Sequence, residues 1–523
     1  VSIEAVNNVI NLTLHHHRIP LLTKYLQCTG FTGLKSDIAH LSSCSSHPRT
    51  TIKPRTAYTV RAVASQVTSE DKWVAKTLET TLPTTPATPL LDKLRASSLD
   101  ALSTLRMPTT RVEEFRFTDI SPLLSTTLHR PSSPPSIDPP TIQASFSLKS
   151  TPAATIVLVD GIPSPSLSTT NPDLLPSGSY IGPLATAPSS IVSITLGSQS
   201  RARGGPFATL NGALTEDCTV IYLPAGSCTL GPIHLLHLAI TTTSTTTTTG
   251  ATLSVPRLLV VLDEGASAEV IEEFAPMMVD DKNNGTSPVV VDYFTNSVAE
   301  IELDDGASLR HGYVQMEGPS TCHTRTTLVA QGANSRYELS EVSLGGTLSR
   351  HDLNVEQLGS ETQTVMKNFL LAGNNQLQDL HSKLRMNHPR GEANQVHKCI
   401  VTSATGRGVF DGNVKVEKLA QKTDAGQLSR NLLLVHRATV NVKPNLQIVA
   451  DDVKCTHGCT VSDLSEEELF YLKTRGIDVN TARQMLVYSF GREVVRELRD
   501  EVLVKRVEEG VKRALVGEGE VSR

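Results

Sequence analysis

The chain has 523 residues, of which 39% are hydrophobic, 4% aromatic and 19% charged, with a formal net charge of −5. That length suits two or three ordinary domains, or one long repeat domain with appendages. The mild acidity and scarce aromatics exclude a basic nucleic-acid groove, and no stretch approaches the roughly 20 apolar residues of a membrane-spanning helix, so neither nucleic acid nor membrane is expected as a partner.

Residues 1–63 differ from the rest. Glu4 and Asp37 are their only acids, against Arg18, Lys24, Lys35, Arg49, Lys53, Arg55 and Arg61 among many Ser and Thr. This is the composition of a transit peptide, and its Ser/Thr richness favours plastid import to the chloroplast stroma over a mitochondrial address. "TAYTVRAVASQ" (56–66) suits cleavage near Ala62 to Ala64, the alternative being a disordered tail. Eight cysteines are scattered along the chain rather than packed into a disulfide framework, and a reducing stroma would leave Cys455 and Cys459 as thiols.

Residues 64–125 read as an N-terminal helical region, with Pro108 stopping a helix ahead of it. Residues 126–199, with "HRPSSPPSIDPPTIQ", read as a Pro/Ser-rich linker and lead-in, and "TTTSTTTTTG" (241–250) as a low-complexity insertion. Across 200–461 short runs of Val, Ile, Leu and Thr alternate with Gly, Asn and Asp. "VLDEGASAEVIEEF" (261–274), "ELDDGASLRHGYV" (302–314) and, more loosely, "VAQGANSRYEL" (329–339) share a strand, a Gly-Ala or similar turn and a second strand. Repetition of one supersecondary unit predicts a solenoid, with a parallel β-helix core as the architecture and a β-sandwich as the alternative.

Residues 462–523 read as a C-terminal helical region. Ser465 and Glu468 form a capping box, Leu469 and Leu472 an apolar stripe, and Gly476 a stop. A second helix carries Ala482, Leu486, Phe490, Val494 and Leu498 at every fourth position. Packing against the end of the solenoid and docking of a partner are both open readings.

The sequence has no GxxxxGK[ST] phosphate loop, HExxH, GxSxG or paired CxxC. "RGGPFATLNGALTED" (203–217) lacks the lysine of a phosphate loop and is assigned to turns, so no nucleotide site is expected in this chain. His381, His388 and His397 match no compact ligand spacing. The pairs Asp263/Glu264 and Asp304/Asp305 invite comparison with carbohydrate-active β-helices, but flank Gly-Ala turns and read as turn residues.

"DDVKCTHGCTV" (451–461) remains. Taken as continuing the strand begun at "LQIVA", it places Cys455, His457 and Cys459 on one face. Same-face neighbours lie about 6.6–6.8 Å apart, so Cys455 and His457 could close on one metal, while Cys459 lies about 13 Å from Cys455. One strand cannot complete a four-ligand shell, so a metal here needs ligands from another chain. A cysteine nucleophile would need a third, orienting group that the sequence does not identify, and an inert strand end is the remaining reading.

With these residues the chain resembles the SufD branch of the SufB/SufD family, scaffold subunits of the SUF iron–sulfur cluster assembly machinery. "AQKTDAGQLSRNLLLVHRATVNVKPNLQIVADDVKCTHGCTVSDLSEEELFYLKTRGI" (420–477) follows the family pattern almost throughout. "GRGVFDGNVKV" (406–416) and "PTTRVEEFRFT" (108–118) extend the resemblance over nearly all of 70–510. The "DDVKCTHG" form, without a SufB-type N-terminal cysteine motif, points to the SufD branch. The resemblance implies a mainly β fold, a right-handed parallel β-helix between helical ends, pairing with a SufB-type paralogue and docking a SufC-type ATPase through the C-terminal helices. It also implies a homodimer where SufB is absent, and a transient iron or iron–sulfur cluster at the SufB interface, with Cys455 and His457 as its metal ligands. Cys459 stands where the family usually has Ala, Phe115 where Trp is common, and "VHRA" (435–438) replaces a more acidic segment. The function so implied is a non-catalytic scaffold. Its rivals are a structural adaptor without a metal role and a β-helical carbohydrate-active enzyme.

Overall fold

The computed structural model describes residues 69–83, 87–131, 137–242, 250–279 and 292–516. Residues 1–63, read above as a transit peptide, and residues 243–249 of the Thr-rich insertion lie outside them.

The centre of the molecule is two parallel sheets between which the chain alternates. In the first, strands Tyr293–Leu303, Thr321–Gln331, Leu348–Gln357, Leu377–Met386, Arg407–Val416 and Thr439–Ile448 each pair with the next in this order. In the second, Ser267–Val279, Ser308–Gln315, Arg336–Ser343, Gln363–Ala372, Glu392–Val401, Asp424–Leu433 and Lys454–Ser462 do the same. One strand of each sheet makes one coil, so the core is a parallel β-helix. Alternate side chains turn inward, and Leu309, Val329, Leu339, Leu353, Met366, Leu370, Phe410 and Val414 fuse into one buried cluster running across the coils.

The repeated Gly-Ala segments are the corners. Gly265, Gly306, Asn334, Glu361, Arg390 and Lys422 all take left-handed backbone conformations, with φ between 56° and 70°. Each hands its N–H to the next coil: Gly265 to the Asp305 carbonyl (2.9 Å), Gly306 to Ala333 (2.7 Å), Asn334 to Ser360 (2.8 Å). In the third repeat, therefore, Asn334 holds the left-handed position rather than Gly332. Gly332 is required for another reason, since a Cβ there would stand 2.8 Å from the Asp305 backbone nitrogen. The paired acids belong to these corners: Asp263 accepts from the Tyr222 hydroxyl (2.8 Å) and Asp305 from the Ala333 N–H (2.7 Å).

Two stretches differ from their sequence reading. Within 126–199, "ATIVLV" forms a strand, Ala154–Val159, parallel to Ile233–Thr242 in the second sheet; the short apolar run wins over its Pro- and Ser-rich flanks because five of its six residues are buried. The segment at 203–217, assigned to turns, contains a helix, Gly205–Leu214. Pro206 fits its first turn, and Phe207, Leu210 and Leu214 recur on one buried face.

The N-terminal region supplies helices Lys72–Thr81 and Pro89–Thr104, and Pro108 follows in non-helical chain. Beyond it Phe115 packs on the first sheet beneath Arg350. At the other end Ser465 caps Glu466–Thr474 by accepting from the Glu468 N–H (3.4 Å). Helix Val479–Val495 ends before Leu498, and a further helix, Glu501–Val516, follows. Both lie on the outer face of the second sheet rather than at the solenoid's end: Val487, Val494, Leu503, Val507 and Val511 share a buried cluster with Val342, Phe369, Ile400 and Leu432.

Candidate metal site at the open end of the solenoid

The last coil holds the residues singled out in "DDVKCTHGCTV". The strand reading needs one correction. The first-sheet strand stops at Ile448, the chain turns through 449–453, and Lys454 opens a new strand in the second sheet. The turn is a corner, since the Asp452 carbonyl accepts the Lys422 N–H (2.6 Å); an apolar run across it conceals the break.

Cys455, His457 and Cys459 keep their common face because all three fall within the new strand. They sit over Ala425, Gln427 and Ser429 of the preceding coil. Cys455 packs on the core cluster, and Cys459 hydrogen-bonds the Ser429 side chain. The row therefore faces inward, over buried neighbours, yet no further coil covers it and His457 and Cys459 are exposed. Among the described residues Lys454–Ser462 pairs on one side only, and Thr439–Ile448 likewise ends the first sheet. Two unsatisfied strand edges and the half-exposed Ile448, Val449 and Val461 thus stand at the same end.

Burial, joined by the Asp424 charge, pushes the Cys455 thiol above its ordinary range, and burial does the same to Cys459. An imidazole and a thiol are suitable donors for iron or zinc once the thiol gives up its proton. Cys455 and His457 are neighbours on the row, but among the described residues no group of three His, Cys, Asp or Glu side chains converges on one point. Within this chain the row therefore offers two adjacent donors and no third.

The other histidines do not join it. His381 lies on the first sheet beside Asp379 (3.0 Å), His388 in the turn after that strand, and His397 inside the second sheet, stacked on Phe410 at 4.1 Å. Burial lowers His397 to about 3, which keeps it neutral. Deeper inside, His311, His323 and His351 pair with Glu272, Glu317 and Glu341 (2.9, 2.6 and 3.0 Å). What the sequence reading passed over is the polar layer beneath the row: Gln427, Ser429 and Asn431, all buried. Their signal is polar residues at alternate positions of one strand, repeated in the strand before it by Gln395 and His397.

Residues 243–490 match the SUF system FeS cluster assembly, SufBD core domain, and residues 79–235 the SufBD protein N-terminal region. The chain is 40% identical over 473 residues to Protein ABCI7, chloroplastic, of Arabidopsis thaliana, covering 88% of this chain and 96% of that protein. The chain belongs to the SufB/SufD family. An iron-sulfur cluster assembly SufBD family protein of Synechocystis is 36% identical over 411 residues, 78% of this chain and 88% of its own. Iron-sulfur cluster assembly protein SufD of Escherichia coli is 34% identical over 304 residues, 58% of this chain and 67% of its own. Family membership and the mainly β solenoid with helical ends both agree with the sequence reading, and a SufB/SufD protein acts in iron–sulfur cluster assembly together with partners of the SUF system.

Proposed function

We propose that this chain is a non-catalytic scaffold subunit of a complex with a SufB-type paralogue and a SufC-type ATPase in the chloroplast stroma. Cys455 and His457 supply one half of a site for iron or a nascent cluster, the partner the other half. The observation that carries this reading is the uncovered row at the end of the solenoid: a thiol and an imidazole face inward where two strand edges await pairing. A second β-helix joining there completes both the hydrogen-bonded ladders and the ligand shell. The cluster is cargo, assembled at the junction and passed on, which a shell shared between chains permits. Where the SufB-type partner is missing, a second copy of this chain uses the same edges.

The SufC-type subunit docks on the C-terminal helices. Phe470, Tyr471, Val479 and Met485 are exposed there, at 67, 58, 41 and 46%. ATP hydrolysis in that partner supplies the work that rearranges the junction. The plastid address rests on the chloroplastic relative and on the composition of residues 1–63.

The test is co-expression with both partners, subunit counting, and iron and sulfide analysis of the purified complex. His457→Ala is expected to leave the complex intact and to lower cluster formation. Unchanged cluster yield would assign the chain to the purely structural adaptor.

A further inference from the structure

Beneath His457 the second sheet carries Gln427, its neighbour across the ladder, and beneath that Gln395. The Gln427 amide nitrogen donates to Gln395 Oε1 at 3.0 Å, and the Gln395 amide nitrogen donates to Ser382 Oγ of the opposite sheet at 2.9 Å. Ser382 Oγ also donates to Gln395 Oε1 at 3.1 Å and so meets both ends of that amide, while the Gln427 amide directs its nitrogen inward to Gln395. This leaves the carbonyl oxygen of Gln427 for the last coil. That oxygen is buried without a hydrogen-bond partner, in a side chain only 3% exposed. Buried acceptors are nearly always met by a donor, and the residue next above it is His457.

Gly412, within "GRGVFDGNVKV", makes the file possible. It pairs with Ser382 in the first sheet, and a Cβ there would stand 2.4 Å from the Gln427 amide nitrogen. A side chain at 412 would press on that amide and, at 2.5 Å, on the Phe410 ring.

We infer that Gln427 is a positioning residue for His457, its side-chain carbonyl accepting one ring N–H so that the other ring nitrogen presents its lone pair to the open end of the solenoid. A histidine that binds metal through one nitrogen is oriented by what accepts from the other. The consequence for metal binding rests on the ligand role proposed for His457; the tautomer itself does not.

The experiment uses the full chain with ¹⁵N-labelled histidine, without metal, at about pH 8, where an ordinary imidazole is neutral. Long-range ¹H–¹⁵N correlation spectra, assigned by loss of one ring in His457→Asn, are expected to show His457 as a single tautomer. Gln427→Leu and, separately, Gly412→Ala are expected to give the averaged signals of a tautomer mixture. In a parallel Co(II) titration of the complex co-expressed with the SufB-type partner, Gln427→Leu is expected to weaken binding about 10- to 100-fold. An averaged ring in the wild type, or a single tautomer that both variants retain, overturns the inference whatever the Co(II) data show. Equal Co(II) affinity of wild type and His457→Ala overturns the ligand role and with it the consequence for metal, leaving the tautomer result to decide the positioning.

Discussion

The guanidinium of Arg350 lies 3.9 Å over the ring of Phe115. The same group donates to Asp352 (2.8 Å), Asp379 (2.7 Å) and the Glu114 carbonyl (3.0 Å), so one buried cation ties two acids of the solenoid to the segment that precedes it. Phe115 makes this contact through its ring face, and any aromatic face attracts a cation.

Arg350→Ala therefore leaves Asp379 buried with only His381 and the Thr118 hydroxyl beside it, and is expected to cost about 3 kcal/mol. The midpoint of urea denaturation checks the magnitude. Limited proteolysis should show earlier cleavage between residues 105 and 125. Phe115→Trp, by contrast, should leave both readings unchanged or improved.

Asp500 is the second tie between distant segments. One carboxylate oxygen accepts from the N–H groups of Val502 and Leu503 (3.1 and 3.0 Å), capping the Glu501–Val516 helix; the other accepts from Lys149 and Ser150 N–H (2.8 and 3.1 Å). Burial raises its pKa, but these N–H groups outweigh burial and hold it below the ordinary value. A depressed acid stabilises the fold above the ordinary carboxylate range and loses that contribution as pH falls through its folded value. Asp500→Ala should cost about 1–2 kcal/mol near neutral pH, and the gap between variant and wild type in urea midpoint should close on acidification.

At the corners, backbone handedness rather than contact decides tolerance. A Cβ at Gly306 would meet nothing closer than 3.7 Å, yet its φ is +70°. Gly306→Ala is expected to cost about 1–2 kcal/mol, and Gly306→Asn less, because Asn already holds this position at 334. Thermal unfolding of the variants provides the comparison.

The six thiols of the described residues divide by burial. Cys322 and Cys399 are pushed up to about 12 and Cys218 is also raised, all by burial. Brief alkylation of the folded chain, read by mass spectrometry, is expected to mark Cys228, Cys455 and Cys459 and to spare those three until denaturant is added. Because the Cys455 pKa is raised, its rate should keep climbing above the roughly 8.5 at which an ordinary thiol is half ionised.

The sequence announces the solenoid because every coil repeats the same corner, and the Cys455, His457, Cys459 row because alternation survives whatever precedes the strand. It conceals the helix at Gly205–Leu214 behind two glycines, Gly204 and Gly205, that look like a turn. The strand at Ala154–Val159 is hidden by flanks of Pro and Ser. The helix at Glu501–Val516 lies within the region read as helical, but its stripe, Leu503, Val507, Val511, is interrupted by Gly510 and a run of charges, and only the outer face of the sheet explains it. The Gln427 file is illegible for a different reason: its three members, Ser382, Gln395 and Gln427, come from three strands in two sheets.

That both sheets stop at the same end has a consequence for recognition. In the proposed complex a chain joining there must match two edges at once, and a slip of a single residue on the second sheet would turn the incoming strand's own donors away from the row of Cys455 and His457. In that complex the correct neighbour would be selected by counting along the backbone, before any metal arrived to reward it.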